Sequence, residues 1–276
     1  MSRTARFLRT PEGIAGAVLL TVLVLAALAA PYVFPRDPLA IVGPAMVQPF
    51  HDAAHPLGTD RLGRDVLAGL FHGARTSLAV GLAAAAASLI FGAIVGTTAG
   101  FAGGLVDEAL MRVTDAFQTV PGFLLALAFV SVLGPSLPVV VAAIALGSWP
   151  GPARVARAEV LSLRERDFVA AARTLGMRPV EIAFRQILPN ALPPVLALSS
   201  VIVASAILIE AALSFLGLGD PNRVTWGGMI AEGRVVLRGA PYLSIAPGIA
   251  LVLAVLGVYL TGEGAVEANS SRRSQS

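Results

Sequence analysis

Residues Arg154 to Asn190 read RVARAEVLSLRERDFVAAARTLGMRPVEIAFRQILPN and interrupt long apolar runs that carry almost no charge. Seven arginines stand in it: Arg154, Arg157, Arg164, Arg166, Arg173, Arg178 and Arg185. Val160, Leu163, Phe168, Ala171, Ala172 and Leu175 approximate a helical apolar stripe, and Val180, Ile182, Ala183, Phe184 and Ile187 make a second one. Gly176 sits just past the first stripe, where left-handed backbone favours glycine. Pro179 suits the first turn of the second helix, and Pro189 marks re-entry into the next apolar run. The stretch therefore predicts two short helices joined at a glycine. A solvated connector is the plain alternative, but connectors are usually short and irregular. Two bare apolar stripes would also cost free energy in water. A docked partner accounts for them.

The surrounding composition sets the class. Hydrophobic residues make up 56% of the 276 residues and charged residues 13%, with a mean hydropathy of +0.78. A soluble domain has about twice that charged share, so too little polar surface remains here to coat a globule, and the chain reads as an integral membrane protein. No cysteine is present, which excludes disulfides, thiol nucleophiles and Cys-ligated metals. Lysine is absent too; all 20 basic residues are arginine. A phosphate-binding P-loop needs its lysine, so any ATP must be bound by a partner. The pI near 10.1 invites a nucleic-acid reading, but the arginines cluster in loops beside apolar runs, as expected of a membrane protein.

Hydropathy predicts an all-α chain of six spans, each about 20 residues to cross about 30 Å of hydrocarbon. The divisions are a terminus over 1–13, a first span over 14–34, a polar segment over 35–75, a core over 76–262 that contains the 154–190 loop, and a tail over 263–276. A signal peptide rivals the first span, because Arg3, Arg6 and Arg9 precede it and Ala27-Leu28-Ala29 mimics a cleavage site. The length of the run and Pro31 favour a retained helix. The 35–75 segment is rich in proline and glycine, without a sustained period, and its four arginines are matched by Asp37, Asp52, Asp60 and Asp65. The remaining spans are expected near 77–98, 113–133, 137–153, 191–216 and 241–260. Six spans put the N-terminal arginines, the 154–190 loop and Arg272-Arg273 on one side, which the positive-inside rule makes cytoplasmic. Gly, Ala and Ser crowd spans two to five; this suits close helix packing or reflects Ala-rich codon usage.

Glu210 lies within an apolar run about two turns from the outer end of span five. An intramembrane carboxylate faces a bundle interior or a watery cavity, so Glu210 either lines a pathway or pairs with an arginine such as Arg223 or Arg75. The pair is the preferred reading. His51, His55 and His72 have no coordination spacing and read as loop histidines; no metal site is expected.

The 154–190 loop resembles the EAA motif of permease subunits of ATP-binding-cassette importers: Ala170-Ala171-Ala172, then Gly176, then Gln186-Ile187-Leu188-Pro189. Ala170 stands where that family carries glutamate, and Gln186 where it often has isoleucine. His55-Pro56-Leu57-Gly58-Thr59-Asp60-Arg61-Leu62-Gly63-Arg64-Asp65-Val66 resembles the segment before span two in dipeptide and oligopeptide permeases of the second subunit type. Ala211-Ala212-Leu213-Ser214-Phe215-Leu216-Gly217-Leu218-Gly219 with Thr225-Trp226-Gly227 resembles their segment after span five. The similarity weakens at Gly262-Glu263-Gly264-Ala265-Val266-Glu267.

The resemblance implies the type I importer permease fold in a cell inner membrane, with both termini cytoplasmic. It implies a non-catalytic subunit that binds no cofactor and forms the pathway with a second permease. Two ATPase subunits holding ATP and Mg would dock on the loop, at Ala170, Ala171, Ala172, Gly176, Pro179, Ile187, Leu188 and Pro189. An extracytoplasmic solute-binding protein would deliver di- or oligopeptides from the other side. Asp60, Arg61, Arg64 and Asp65 are candidate contacts for it, or they order their own loop. Permeases of this kind also serve nickel, opines and glycans. A secondary transporter would be expected to show an internal repeat or several intramembrane charges, and a membrane enzyme would need a Cys, Lys or His within a span; neither pattern is present.

Overall fold

Hydroxyl and carboxylate caps at Thr10, Asp65 and Thr225 start three of the helices, and Pro121 and Pro150 stand at two of the bends. The structure, a computed structural model, describes residue 7 and residues 10–270. Arg3, Arg6, Arg9, Arg272 and Arg273, which carry part of the orientation argument, lie outside the described residues. Helix α1 (Pro11–Val33) opens at Thr10, whose hydroxyl accepts the Gly13 N–H at 3.2 Å. Helix α2 (Val66–Ala102) has 37 residues, about 55 Å at 1.5 Å per residue. Asp65 caps it, accepting the Leu67 and Ala68 N–H groups at 2.8 and 3.1 Å. The irregular segment expected to reach Arg75 therefore ends at Asp65. The cap starts the helix before the apolar run does, and Val66, Ala68 and Ala74 are already buried.

The third and fourth expected spans are each two helices. Helices α3 (Gly104–Thr119) and α4 (Gly122–Leu133) meet at 84°. Pro121 holds Val120 extended and ends α3 there. Helices α5 (Leu137–Ser148) and α6 (Pro150–Leu163) meet at 46°, with Pro150 in the first turn of α6. The expected boundary at Ala153 falls inside α6, so the arginine-rich stretch begins as a continuation of the span. Then follow α7 (Asp167–Thr174), the single turn α8 (Pro179–Glu181), a wide π turn over Ile182–Ile187, α9 (Leu188–Ala197), α10 (Ser199–Phe215), α11 (Trp226–Arg234) and α12 (Tyr242–Ser270). The helices from Pro179 to Ala197 and from Ser199 to Phe215 bend by 55°. Three helices, α1, α2 and α12, are long and apolar enough to cross a membrane alone; with each bent pair as one span there are six. No strand occurs among the described residues.

Two apolar clusters make the bundle. Val80 and Ala84 of α2 pack with Ala126 and Val130 of α4, Ile144 of α5 and Leu213 of α10. Ala74 and Leu78 of α2 pack with Ala27 of α1, Ile207 of α10, Trp226 of α11 and Ala254 of α12. Helix α2 is thus the common wall. Its seam with α6 is built on Gly92, Gly96 and Gly100: a Cβ on Gly92 would strike Pro152, one on Gly96 the Ala153 carbonyl, and one on Gly100 would crowd Val160. Close packing of small residues holds here, as the Gly and Ala content allowed.

Candidate functional site

At the inner end of the α2–α6 seam the arginine-rich stretch folds back on itself. Val160 of α6, Val169 and Ala172 of α7, Ile182 and Ile187 of the π turn and Ala191 of α9 form one buried cluster, with Phe101 and Leu163 against it. The first expected helix is two, broken at Arg164–Arg166, because α6 continues the bundle while α7 turns to cover the π turn. Helix α7 closes with a Schellman turn: Gly176 N–H bonds the Arg173 carbonyl at 3.0 Å and Met177 N–H the Ala172 carbonyl at 3.1 Å. Gly176 takes φ +76°, which only glycine adopts without strain. The π turn had no signal in the apolar spacing. It ends at Leu188, whose N–H reaches back to Ala183, just before Pro189 removes a helical donor.

The expected loop residues divide by environment. Ala172 and Ile187 are core; Leu188 is half-buried; Ala170, Ala171, Gly176, Pro179 and Pro189 are exposed. Leu175, placed on the buried stripe by spacing, is 82% exposed, and Val180 is 70% exposed; Phe168 is exposed as well. Arg166, Arg173 and Arg178, interspersed with these residues in the sequence, are exposed and have no ion pair among the described residues. The other four arginines are engaged. Arg157 grips Asp107 through both oxygens at 2.5 Å, Arg154 reaches Asp115 at 2.5 Å, Arg164 donates to the Gly100 carbonyl at 3.0 Å, and Arg185 meets Glu181 at 2.7 Å. These ties lock α6 to α3 and to the end of α2. The acids Asp107 and Asp115, in the apolar surroundings of the third expected span, were the available signal for them.

The opposite end of the bundle is covered by the 35–65 strap. It is irregular but tied down: Thr59 is fully buried, its hydroxyl donating to the Pro44 carbonyl at 2.6 Å, and the Tyr242 hydroxyl lies 2.8 and 2.9 Å from the carbonyls of Val47 and Thr59. Asp60 accepts the Leu62 and Arg64 N–H groups, both at 2.8 Å. Asp65 caps α2 and holds His55 at 2.8 Å. Both acids order their own loop. The arginines between them, with Arg223, line a cavity of about 340 Å³ between the strap, the start of α2, the end of α10 and α11. Burial raises the Glu232 carboxyl on this cavity above its ordinary range; Asp60 adds to the rise, while Arg64 and Arg61 oppose it. His51 and His72 bond the carbonyls of Pro49 and Phe34. No metal-binding group of three ligands occurs among the described residues.

Glu210 lies beneath the cavity, 1% exposed. The expected arginine pair is absent: both Arg75 and Arg223 are exposed, and the carboxylate is held by hydroxyls. Ser214 donates at 2.7 Å and Ser77 at 3.1 Å. Ser77 in turn accepts the Trp226 N–H at 3.3 Å, and Thr225 accepts the Gly228 N–H at 3.1 Å. One carboxylate thereby ties α2, α10 and the start of α11. An arginine was the natural partner to expect for a buried charge; two hydroxyls meet the same need without a second charge to desolvate.

Residues 88–275 match the family described as binding-protein-dependent transport system inner membrane component. The chain is 41% identical over 262 residues to a probable peptide ABC transporter permease protein, y4tQ, of Sinorhizobium fredii, covering 93% of this chain and 87% of that one. It is 38% identical over 252 residues to the dipeptide transport system permease protein DppC of Alkalihalophilus pseudofirmus, covering 91% and 83%. A solved inward-facing MetNI methionine ABC transporter is similar in fold, with a TM-score of 0.57 at 18% identity over 72% of this chain and 95% of that one.

Proposed function

The chain belongs to the family of binding-protein-dependent transport system inner membrane components, and we propose that it lines the solute pathway together with a second permease subunit. It is a non-catalytic permease subunit of a peptide ABC importer. Two ATPase subunits, which hold ATP and Mg, dock on the face around α7, with the 154–190 loop and both termini on the cytoplasmic side of the inner membrane. The solute-binding protein docks over the 35–65 strap, where Arg61 is the exposed contact. Short peptides are the solute.

The observation that carries the docking reading is the exposure of Phe168, Leu175 and Val180 within the same short stretch as the exposed Arg166, Arg173 and Arg178. Such a face lies outside the apolar spans, where bare apolar area is costly, and it fits an apolar groove with acidic edges. Behind it Ala172 and Ile187 are packed on α6, and α6 is fixed to α2 by the glycine seam. A push on α7 therefore moves α6 and α2 together. Helix α2 runs from that seam to the Ser77–Glu210 contact at the strap end, so the same rod reaches the outer closure. Gly176 sets the angle at which α7 is presented.

Affinity capture of the chain from gently solubilised membranes, followed by mass spectrometry, tests the assembly. A second six-span permease and one or two ATPases should co-purify. Recovery only with copies of itself would point to a self-contained transporter. Gly176→Val forces a β-branched residue into left-handed backbone and should leave ATP hydrolysis running while uptake falls about tenfold, whereas Gly176→Asn should be milder. Normal uptake by Gly176→Val at normal abundance rules out the coupling role.

A further inference from the structure

The cavity at the strap end sets Arg61, Arg64 and Arg223 beside Asp60, Asp65, Asp220 and Glu232, and Asp65 is already taken by the α2 cap and His55. Asp60 is occupied by two backbone N–H groups, and Asp220 accepts those of Leu137 and Asn222 at 3.1 and 2.9 Å. Arg64, with its side chain 23% exposed, is held loosely: Nη1 lies 3.4 Å from Glu232 and Nε 3.9 Å from Asp60. That Nε is buried and has no hydrogen-bond partner among the described residues. Arg61 and Arg223 also line the cavity and form no ion pair among the described residues. A buried guanidinium N–H without an acceptor costs free energy until a ligand supplies one.

We propose that this cavity is a subsite for the terminal carboxylate of a short peptide, with Arg64 at its centre and Arg61 and Arg223 beside it. The proposal rests on the peptide-import reading and adds a substrate contact made by this chain itself. A planar guanidinium matches a carboxylate through two parallel hydrogen bonds, and such charge-assisted pairs are the strong ones. A cavity of about 340 Å³ falls at the small end of ligand pockets, about 300–1,000 Å³. Glu232 is half-exposed on the same wall; a carboxylate that takes over Arg64 releases it to meet the peptide's ammonium group. The site thus complements a free zwitterion and disfavours a peptide capped at its C-terminus. Ser214 lines the cavity and bonds Glu210, which also accepts from Ser77, so occupation is felt at the contact between α10 and α2.

The test uses the assembled transporter in lipid nanodiscs without its binding protein, with equilibrium binding of Ala-Ala and of Ala-Ala amide. Ala-Ala should bind at least about tenfold more tightly than the amide. Arg64→Gln should erase the preference, and Arg223→Gln, at an exposed position, should reduce it severalfold; Arg36→Gln, outside the cavity, should leave it intact. Equal or undetectable binding of the two peptides by the unaltered transporter overturns the proposal, as does an unchanged preference in both cavity variants. Displacement by acetate or inorganic phosphate as effective as by unlabelled Ala-Ala would mark a general anion site and overturn the peptide assignment. Uptake of Ala-Ala by cells carrying the complete system reads the underlying function separately. Uptake without a carboxylate preference removes the subsite alone, whereas no peptide uptake removes the import reading.

Discussion

The two ends of helix α2 both seat glycines against their neighbours, at Gly73 and Gly81 as at Gly92 and Gly96, but their polar anchors differ. At the loop end, a glycine seam brings backbone against backbone, and ion pairs from Arg154 and Arg157 reach α3. At the strap end, a single buried carboxylate is shared between two hydroxyls, with Trp226 bonded to one of them. The first anchor has almost no free volume and tolerates no added atom. The second is a small set of hydrogen bonds gathered on one carboxylate. A helix fixed rigidly at one end and polar-bonded at the other suits a part that must carry motion from a docking face to a closure that opens. The difference also separates what each end leaves unfilled: an apolar face at the loop end and a charged cavity at the strap end.

The sharpest way to break the comparison is at the seam. Gly96→Val places carbon into the Ala153 carbonyl, a backbone atom that cannot swing aside. Overpacking a core costs about 1–3 kcal/mol when side chains can adjust, so a backbone clash should exceed the upper figure and abolish accumulation of folded protein. Fluorescence-detected size exclusion after detergent extraction reads this directly. Gly151→Ala, where an added Cβ meets nothing, should accumulate normally. A folded Gly96→Val protein of ordinary thermal stability would mean the seam is not the rigid anchor.

A smaller effect is expected from Glu210→Ala. Its hydroxyl partners would lose their acceptor inside an apolar bundle, at about 1–3 kcal/mol for each group that finds no other, and the losses do not add fully. A fall of about 3 kcal/mol in stability should appear as a lower melting temperature, while Glu210→Gln, which keeps one acceptor oxygen, should lose less. If the alanine variant melts like the parent, the strap end is held by the strap and Trp226 alone.

The class of fold was legible because it rests on bulk composition: few charges, long apolar runs and arginines gathered at their ends. The glycine past α7 was legible too, since φ +76° at Gly176 leaves a local signature. The bends were harder to read. Pro121 and Pro150 are visible in the sequence, but hydropathy averages across them, so two bent pairs read as straight spans. The π turn over Ile182–Ile187 and the exposure of Leu175 depend on how α7 folds over its neighbour, which helical spacing cannot report. Glu210 stood out as a buried charge. Its partners were not foreseen, because Ser77 lies 133 residues away on another helix, and a hydroxyl in an apolar run draws no attention.

The least disruptive variants bear on the loop end's bare face. Leu175 and Val180 are 82% and 70% exposed, so Leu175→Ser with Val180→Ser removes little that the isolated chain has buried. Surface changes of this kind usually shift stability by no more than about 0.5 kcal/mol, and the melting temperature of the purified chain should hold. Co-purification of the ATPases should nevertheless drop several-fold, because apolar area covered by a partner contributes about 25 cal/mol per Å². Replacing Arg166, Arg173 and Arg178 by glutamine should weaken capture less, and more so at low salt than at high salt, since exposed charges are screened over about 10 Å at 0.1 M. Stability lost without any loss of partner would place the face inside the chain's own packing. Partner lost at constant stability is the outcome that distinguishes a docking surface from a core, and it would leave the two ends of α2 with separate tasks: one to receive the push, the other to release what it holds.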